Sequence, residues 1–257
     1  RASLEALPHE PRERLERVAH RIVLFAEAQR ASLSDVELEI AGGREGHRLA
    51  PIDTAGCYAP GGRHPLPSTV LMTALTARVA GVRQVVLASP RPTALTKAAA
   101  AIAQVDGLLC AGGAAAIAAM AYGTPPVPAC DLICGPGNRY VTAAKYWVSR
   151  DVAIDMLAGP SELVVVADRN ANVEWIAADL LAQAEHDTDA QPVLIALDDS
   201  LADAVRVALM RQLSTSLNAA VARVSLSRGG ALLASDLDHA ARCSDRLAPE
   251  HLALHLD

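Results

Sequence analysis

The feature that most constrains this chain is a repeated alternation between short apolar segments and longer segments with helical spacing. After residue 66 the pattern predicts a helix at Pro67–Val79, a strand at Gln84–Ala88, a helix over residues 92–103 and a strand over residues 107–110. Strands that are joined by helices pair in parallel, because the helix carries the chain back to the edge where the first strand began. The sequence therefore predicts a parallel α/β fold.

This alternation continues in two blocks. The first block closes with a predicted helix over residues 114–121, a strand over 131–134 and a helix over 138–149. The second block follows Ala158-Gly159-Pro160-Ser161, and its predicted segments are strand Glu162–Ala167, helix 173–184, strand 192–196, helix 201–213, strand Gly230–Leu233 and helix Leu237–Leu247. Two such blocks predict two tandem, incomplete Rossmann-like units, in each of which helices flank a parallel sheet.

A different pattern occupies the N-terminal part of the chain. Apolar residues recur at helical spacing after Pro11, at Leu15, Val18, Ile22, Leu24 and Phe25. Val36–Ile40 then alternates apolar with acidic residues, which predicts a half-buried strand. We therefore expect an N-terminal helix with short strands over residues 1–57, a first α/β unit over 58–160 and a second over 161–257.

Composition excludes several classes of protein. The net charge is −6, and the 23 Lys and Arg residues are dispersed, which argues against a nucleic-acid partner. The longest apolar stretches, residues 98–105 and 114–121, are far shorter than the roughly 20 residues that a membrane-spanning helix needs, so we expect no membrane partner. The five cysteines are odd in number and scattered, which favours reduced, mostly buried thiols in a cytoplasmic protein.

Four Gly- or Pro-rich turns are candidates for ligand binding. They cover residues 56–68, 112–113, 135–138 and 159–161, and we expect them to connect strands to helices. Strand-to-helix turns at the carboxyl edge of a parallel sheet are where open α/β folds bind ligands, and helix N-termini favour phosphate. A dinucleotide would suit such turns. The Gly-x-Gly-x-x-Gly fingerprint does not occur, and glycines also end helices, so the turns alone leave both interpretations open.

Two short segments carry polar groups suited to catalysis or metal binding. If the helix continues past residue 184, Gln183 and His186 share one face and could hold a metal ion or substrate, although a histidine at a helix end often interacts only with the carbonyl dipoles. Glu250 and His251 place an acid beside a base, a pairing that can transfer protons but is also common. His255 could pair with His251 on a metal, but Leu252 and Leu254 favour a strand there.

Five sequence strings resemble the histidinol dehydrogenase family in their order and spacing, from about residue 10 to the end. They are Gly56-Cys57-Tyr58-Ala59-Pro60-Gly61-Gly62, Gly135-Pro136-Gly137-Asn138, Ala158-Gly159-Pro160-Ser161-Glu162, Gln183-Ala184-Glu185-His186 and Ala248-Pro249-Glu250-His251-Leu252. The resemblance implies an NAD-dependent, zinc-containing homodimer that oxidises L-histidinol through L-histidinal to L-histidine with two NAD⁺, the last step of histidine biosynthesis.

The resemblance also implies roles for seven residues. Tyr58 and Asn138 match NAD-contacting positions, and Ser161 matches a substrate-contacting position. Gln183 and His186 match two zinc ligands that also hold the substrate, with the metal acting as a template. His251 matches the base that takes the alcohol proton and also contacts substrate, and Glu250 matches the residue that activates water at the aldehyde stage.

The sequence departs from the family pattern in two places. Ala115 stands where the family usually has a Gln that contacts NAD, which removes a hydrogen-bonding group from the expected cofactor site. Family members also continue past the equivalent of Asp257, and that region supplies an Asp, a His and a Glu. We therefore expect a chain truncated at its C-terminus. The alternatives are a relative that oxidises another small alcohol and a non-catalytic homologue.

Overall fold

The computed structural model describes residues 2–61, 66–157 and 161–257. The chain divides into two compact units, residues 1–158 and 159–257.

The first unit begins with helices α1 (Ala2–Glu5) and α2 (His9–Ala31) and a hairpin of strands β1 (Val36–Ile40) and β2 (Gly43–His47). The predicted N-terminal helix is confirmed, and it buries Leu15, Ala19 and Ala26. Strand β1 lies where the alternation predicts it. The prediction that β1 is half-buried is wrong, because among the described residues it pairs only with β2, and all five of its own residues are exposed.

A five-stranded sheet forms the centre of this unit. Its elements are β3 (Thr54–Tyr58), α3 (Pro67–Val79), β4 (Gln84–Ala88), α4 (Ala94–Ile102), β5 (Gly107–Leu109), α5 (Gly113–Tyr122), β6 (Leu132–Cys134), α6 (Arg139–Val148) and β7 (Ala153–Ile154). The strand order is β5-β4-β3-β6-β7, and every pair is parallel.

Apolar side chains are buried on both faces of the sheet. On one face, Val85 and Leu87 of β4 join a cluster with residues of α2, α3 and α4. On the other, Ile133 of β6 packs with Ile117 of α5 and Val141 of α6. Burial on both faces explains why these strands are apolar runs rather than alternating ones.

The second unit contains a four-stranded sheet. Its elements are β8 (Glu162–Ala167), α7 (Val173–His186), β9 (Gln191–Ala196), α8 (Asp199–Thr215), α9 (Ala219–Leu226), β10 (Gly230–Leu233), α10 (Leu237–Leu247) and β11 (His251–His255). The order is β10-β9-β8-β11, again with all pairs parallel. In each parallel sheet the strand that comes first in sequence, β3 or β8, has neighbours on both sides, and the strand order reverses beside it, which confirms the predicted pair of Rossmann-like units.

Side-chain caps fix the starts of several helices. Thr93 caps α4, so that this helix begins at Ala94 rather than at residue 92. Asn138 caps α6 in the same way, and Asn172 caps α7. Each side-chain oxygen accepts a hydrogen bond from a backbone N–H group of the first turn.

All five cysteines are free thiols. Cys57 and Cys130 are buried, whereas Cys110 is exposed. Burial raises the pKa of the Cys130 thiol to about 12, so this group stays protonated at neutral pH. Separately, no helix within the described residues is long and apolar enough to cross a membrane.

Candidate cofactor and catalytic clusters

The strand order of the first unit reverses between β3 and β6, which are neighbours although five other elements separate them in sequence. Open parallel sheets bind ligands at the carboxyl edge of such a reversal. Tyr58 is the last residue of β3, and Asn138 ends the turn that follows β6. The two residues predicted to bind cofactor therefore belong to neighbouring strand ends at the edge suited to a dinucleotide. The predicted turn at 56–68 begins too early, because residues 56–58 complete β3, and its residues 62–65 lie outside the described part of the chain.

Tyr58 fixes the start of helix α5. Its ring is buried, and its hydroxyl oxygen accepts a hydrogen bond of 3.1 Å from the backbone N–H of Gly113. Gly113 has a φ of +65°, and a Cβ at this position would meet no atom within 4 Å. The backbone at the start of α5 is thus uncovered on that side, as close approach of a ligand requires. Ala115, two residues later, is exposed and offers no polar side-chain group to such a ligand.

Asn138 has a structural role besides its predicted role in binding. Its Oδ1 accepts hydrogen bonds from the backbone N–H groups of Tyr140 at 3.1 Å and Val141 at 3.2 Å. These two bonds occupy the acceptor capacity of the amide oxygen. The side-chain NH₂ group is then the part of Asn138 that suits a bound cofactor.

In the second unit the predicted residues gather at the amino edge of the sheet. Ser161 precedes β8, Glu250 precedes β11, and His251 is the first residue of β11. Gln183 lies in the last turn of α7, which brings the chain back to this edge. The prediction that residues 159–161 connect a strand to a helix is wrong, since Ser161 leads directly into strand β8. Gly159 and Pro160 of that turn lie outside the described residues.

Hydrogen bonds connect several of these residues. Gln183 donates from Nε2 to the backbone oxygen of Ser161 at 3.1 Å, and the same oxygen accepts from the backbone N–H of Gln191. The backbone N–H of Glu250 lies 3.4 Å from Oε2 of Glu162. Nδ1 of His251 lies 3.2 Å from the backbone oxygen of Glu162. Glu162 therefore contacts both predicted catalytic residues. Sequence reasoning missed this residue, although it follows Ser161 in a string that resembles the family.

The contact with Glu162 determines which nitrogen of His251 carries the proton. A backbone carbonyl oxygen can only accept, so Nδ1 must donate and carries the hydrogen. In the neutral ring Nε2 is then the unprotonated nitrogen, available to accept a proton. More than half of the His251 side chain is exposed, and its Nδ1 lies 3.9 Å from Oε2 of Glu250. The arrangement provides a base that is held at one nitrogen and accessible to a ligand.

Gln183 and His186 offer part of a metal site. Helix α7 continues through both residues, and His186, its last residue, is exposed. Because Gln183 donates from Nε2 to Ser161, its Oε1 is identified as the acceptor atom, which is the atom that could bind a metal. Within the described residues, no group of three or more His, Cys, Asp or Glu side chains could hold a metal ion. Catalytic zinc sites ordinarily have three protein ligands, so these two residues do not form a complete zinc site.

Comparison with known proteins places the chain in one family. The sequence profile described as Histidinol dehydrogenase matches residues 1–257. The histidinol dehydrogenase of Methylococcus capsulatus is 46% identical over 261 residues, covering 100% of this chain and 60% of that protein. The enzyme of the same name from Nitrosomonas europaea is 45% identical with the same coverage.

A solved structure gives the same result. The crystal structure of histidinol dehydrogenase from Elizabethkingia anophelis matches with a TM-score of 0.92 and 34% identity, covering 98% of this chain and 60% of that one. This chain thus spans about 60% of the length of the relatives it matches. Because the family profile matches it from end to end, the chain belongs to the histidinol dehydrogenase family.

Proposed function

We propose that this chain carries catalytic residues of an NAD-dependent enzyme that oxidises L-histidinol to L-histidine through L-histidinal. The relatives it matches at about 45% identity are named histidinol dehydrogenase. The observation that supports the chemistry best is the hydrogen bond between Nδ1 of His251 and the backbone of Glu162, which leaves Nε2 as the unprotonated nitrogen of a residue whose Nδ1 lies 3.9 Å from Oε2 of Glu250.

In the first oxidation, Nε2 of His251 accepts the proton of the substrate hydroxyl. The carbon atom then forms a C=O bond as it loses a hydride, giving the aldehyde. In the second oxidation, Glu250 takes a proton from water, the oxygen of that water adds to the aldehyde carbon, and protonated His251 returns its proton to the former carbonyl oxygen, which gives the hydrate. His251 then accepts a hydroxyl proton of the hydrate, and loss of a second hydride gives the carboxylic acid, which releases its proton to solvent as the carboxylate. The two steps together release four electrons.

Tyr58 and Asn138 would hold the cofactor at the carboxyl edge of the first sheet. NAD⁺, when bound, accepts one hydride in each oxidation, so two molecules are consumed for each histidinol. The uncovered backbone of Gly113 fits the close approach of a dinucleotide to a helix N-terminus. Ala115 lacks the amide that the family usually presents there, and we expect weaker cofactor binding for this reason.

Gln183 and His186 would supply two ligands for a zinc ion that orients the substrate, and Ser161 would contact the substrate beside them. A working zinc site needs at least one further ligand, so we assign no proton or hydride transfer to the metal. We also propose that the protein acts as a homodimer in the cytoplasm. The free thiols of all five cysteines fit a reducing compartment.

The experiment that tests this function is NADH formation from L-histidinol with added zinc, measured for this chain and for the longest natural form of the protein. We expect NADH with the longer form and little or none with residues 1–257 alone. Equal activity of both forms would show that residues 1–257 are sufficient. If neither form reacts although both bind NAD⁺ and zinc, the substrate is another alcohol.

One observation favours a second candidate, a non-catalytic homologue. Ala115 is exposed at the start of α5 and removes a polar contact expected in the cofactor site. Failure of the longest natural form to bind either NAD⁺ or zinc would support this candidate and exclude the dehydrogenase.

A further inference from the structure

Helix α6 contains a buried cation that the proposed chemistry does not use. Lys145 is 2% exposed, and its ammonium group pairs with the carboxylate of Asp155, which follows β7. The same ammonium donates a hydrogen bond of 3.2 Å to the backbone oxygen of Gly135, ten residues earlier. A buried lysine is rare unless it is paired, so these two partners account for its burial.

The three residues form a closed ring of contacts. Lys145 binds the backbone oxygen of Gly135, and Oδ2 of Asp155 accepts the backbone N–H of Gly135 at 2.8 Å. Oδ1 of Asp155 contacts Lys145 and also accepts the backbone N–H of Met156 at 2.7 Å. Both polar groups of one residue, Gly135, are therefore held by a single ion pair, in which Lys145 is buried and the Asp155 side chain is 32% exposed.

Such a pair is not explained by stability alone. Removing the Lys145 ammonium and part of the Asp155 carboxylate from water costs free energy that their attraction does not necessarily recover, and apolar side chains of similar volume often stabilise a fold equally well. A hydrogen-bonded ion pair also restricts geometry, because each donor and acceptor in the ring forms its bond along a defined direction. The pair therefore holds the Gly135 backbone in one conformation.

That conformation determines where the turn of residues 135–138 begins. Gly135 has a φ of +111° and lies against the backbone of Tyr58, the last residue of β3. The turn ends at Asn138, whose Oδ1 caps α6. The ion pair fixes the Gly135 end of the turn, and the cap fixes the Asn138 end. Asn138 is the residue of this turn that is predicted to contact the cofactor.

We infer that Lys145 and Asp155 are positioning residues for the cofactor, which hold the turn of residues 135–138 in the conformation that presents Asn138. The inference rests on the proposed function for the identity of the ligand, NAD⁺. The ion pair itself does not touch the ligand in this scheme, since Lys145 is buried and is occupied by Gly135 and Asp155.

The test uses the longest natural form of the protein and the variant Lys145→Met, which keeps an unbranched side chain but removes the donor. We expect the Kd for NAD⁺ to rise about tenfold or more, the effect of losing a charge-assisted hydrogen bond. Catalytic rate at saturating NAD⁺ and the KM for L-histidinol should stay within about twofold. Backbone amide exchange of Gly135 should become about tenfold faster.

The matched control is Arg78→Met. Arg78 pairs with Asp106 in the same unit and also donates to the backbone oxygens of Val82 and Arg83, at the opposite edge of the sheet. This variant should lower the unfolding temperature but leave the Kd for NAD⁺ and the exchange of Gly135 unchanged. An equal rise in Kd in both variants would mean that loss of stability explains the effect, and the inference would be wrong.

A double variant, Lys145→Met with Asp155→Asn, keeps the experiment decisive if the single change prevents folding. It removes both charges of the ion pair and retains an amide oxygen that can accept from Gly135, so the unfolding temperature should return towards that of the unmodified protein. The Kd for NAD⁺ should remain raised; recovery to the original value would overturn the inference. If the unmodified protein does not bind NAD⁺, the proposed function fails, and Gly135 exchange in Lys145→Met then tests the positioning role alone.

Discussion

Replacing Gly135 with alanine directly tests the geometry of the carboxyl edge of the first sheet, where we propose that the cofactor binds. Gly135 has a φ of +111°, a backbone conformation that residues with a Cβ rarely adopt. A Cβ built on Gly135 would lie 2.1 Å from the backbone oxygen of Tyr58. Real Cβ atoms do not approach another atom this closely. The neighbouring atom is backbone in a buried strand, so it cannot rotate away as a flexible side chain would.

The expected loss of stability has two parts. Holding a non-glycine residue in this backbone region costs about 1–3 kcal/mol. Relieving the contact moves Gly135 away from Tyr58 and breaks its N–H bond to the carboxylate of Asp155, which contributes about 1.5–3 kcal/mol. The sum is roughly 2.5–6 kcal/mol. At about 2–4 °C per kcal/mol for a unit of this size, the unfolding temperature of the first unit should fall by about 5 °C or more.

Thermal unfolding followed by circular dichroism measures this change, with two other glycines of the same unit as controls. Gly113→Ala has the positive φ of +65° but no close contact, so we expect about 1–2 kcal/mol. Gly107→Ala has no positive φ, and its nearest neighbour lies at 3.9 Å, so its effect should stay within about 1 kcal/mol in either direction. If Gly135→Ala unfolds at the same temperature as Gly107→Ala, the close approach to Tyr58 is refuted.

Three further predictions concern single residues. His251→Asn should lower the rate of histidinol oxidation by about two to four orders of magnitude, the usual contribution of a positioned base, whereas His255→Asn at the other end of β11 should have little effect; an unchanged rate in His251→Asn rejects this base. Ala115→Gln should tighten NAD⁺ binding about twofold to tenfold by adding one hydrogen bond, while Ala114→Gln, also exposed, should not; equal effects in a titration would contradict a specific contact. Partial burial opposes ionisation of Asp106, but hydrogen bonds from the Val85 N–H and Arg78 outweigh it and lower the pKa of this carboxyl. Its contribution to stability is present above the pKa of the unfolded chain and is lost as the pH falls through the folded pKa, so Asp106→Asn should destabilise at neutral pH but not in acid; a gap in urea midpoint that persists at low pH would disprove the linkage.

Local sequence patterns predicted most of the helices and strands, because these elements depend mainly on the residues within each segment. The apolar runs of β4 and β8 and the helical spacing of α3 and α10 are visible in sequence, and the structure has these elements at the predicted residues. Helix α9 was not predicted, since Ala219–Leu226 is a short segment whose buried Ala222 packs in a cluster with side chains of α7. Strand β7 has only two residues and is defined by its pairing with β6, so it has no signal of its own.

For the candidate site, too, the sequence selected residues, but their arrangement was visible only in the structure. Sequence strings alone select Tyr58, Asn138, Ser161, Gln183, His186, Glu250 and His251. They could not indicate that the residues of the second unit lie at the amino edge of its sheet, because an edge is defined only when strands pair. Nor could they indicate the role of Glu162, whose contacts with Glu250 and His251 bridge more than 80 residues.

The sequence by itself thus determined the α/β class, the order of most elements and the residues that resemble a known site, since periodicity, capping and motif spacing act over short stretches of chain. Only the tertiary structure decided the reversal between β3 and β6, the tautomer of His251 and the burial of Lys145 against Asp155. Each of these depends on which distant segments come into contact and on how far water is excluded there. Those contacts exist only after the sheets and helices have packed.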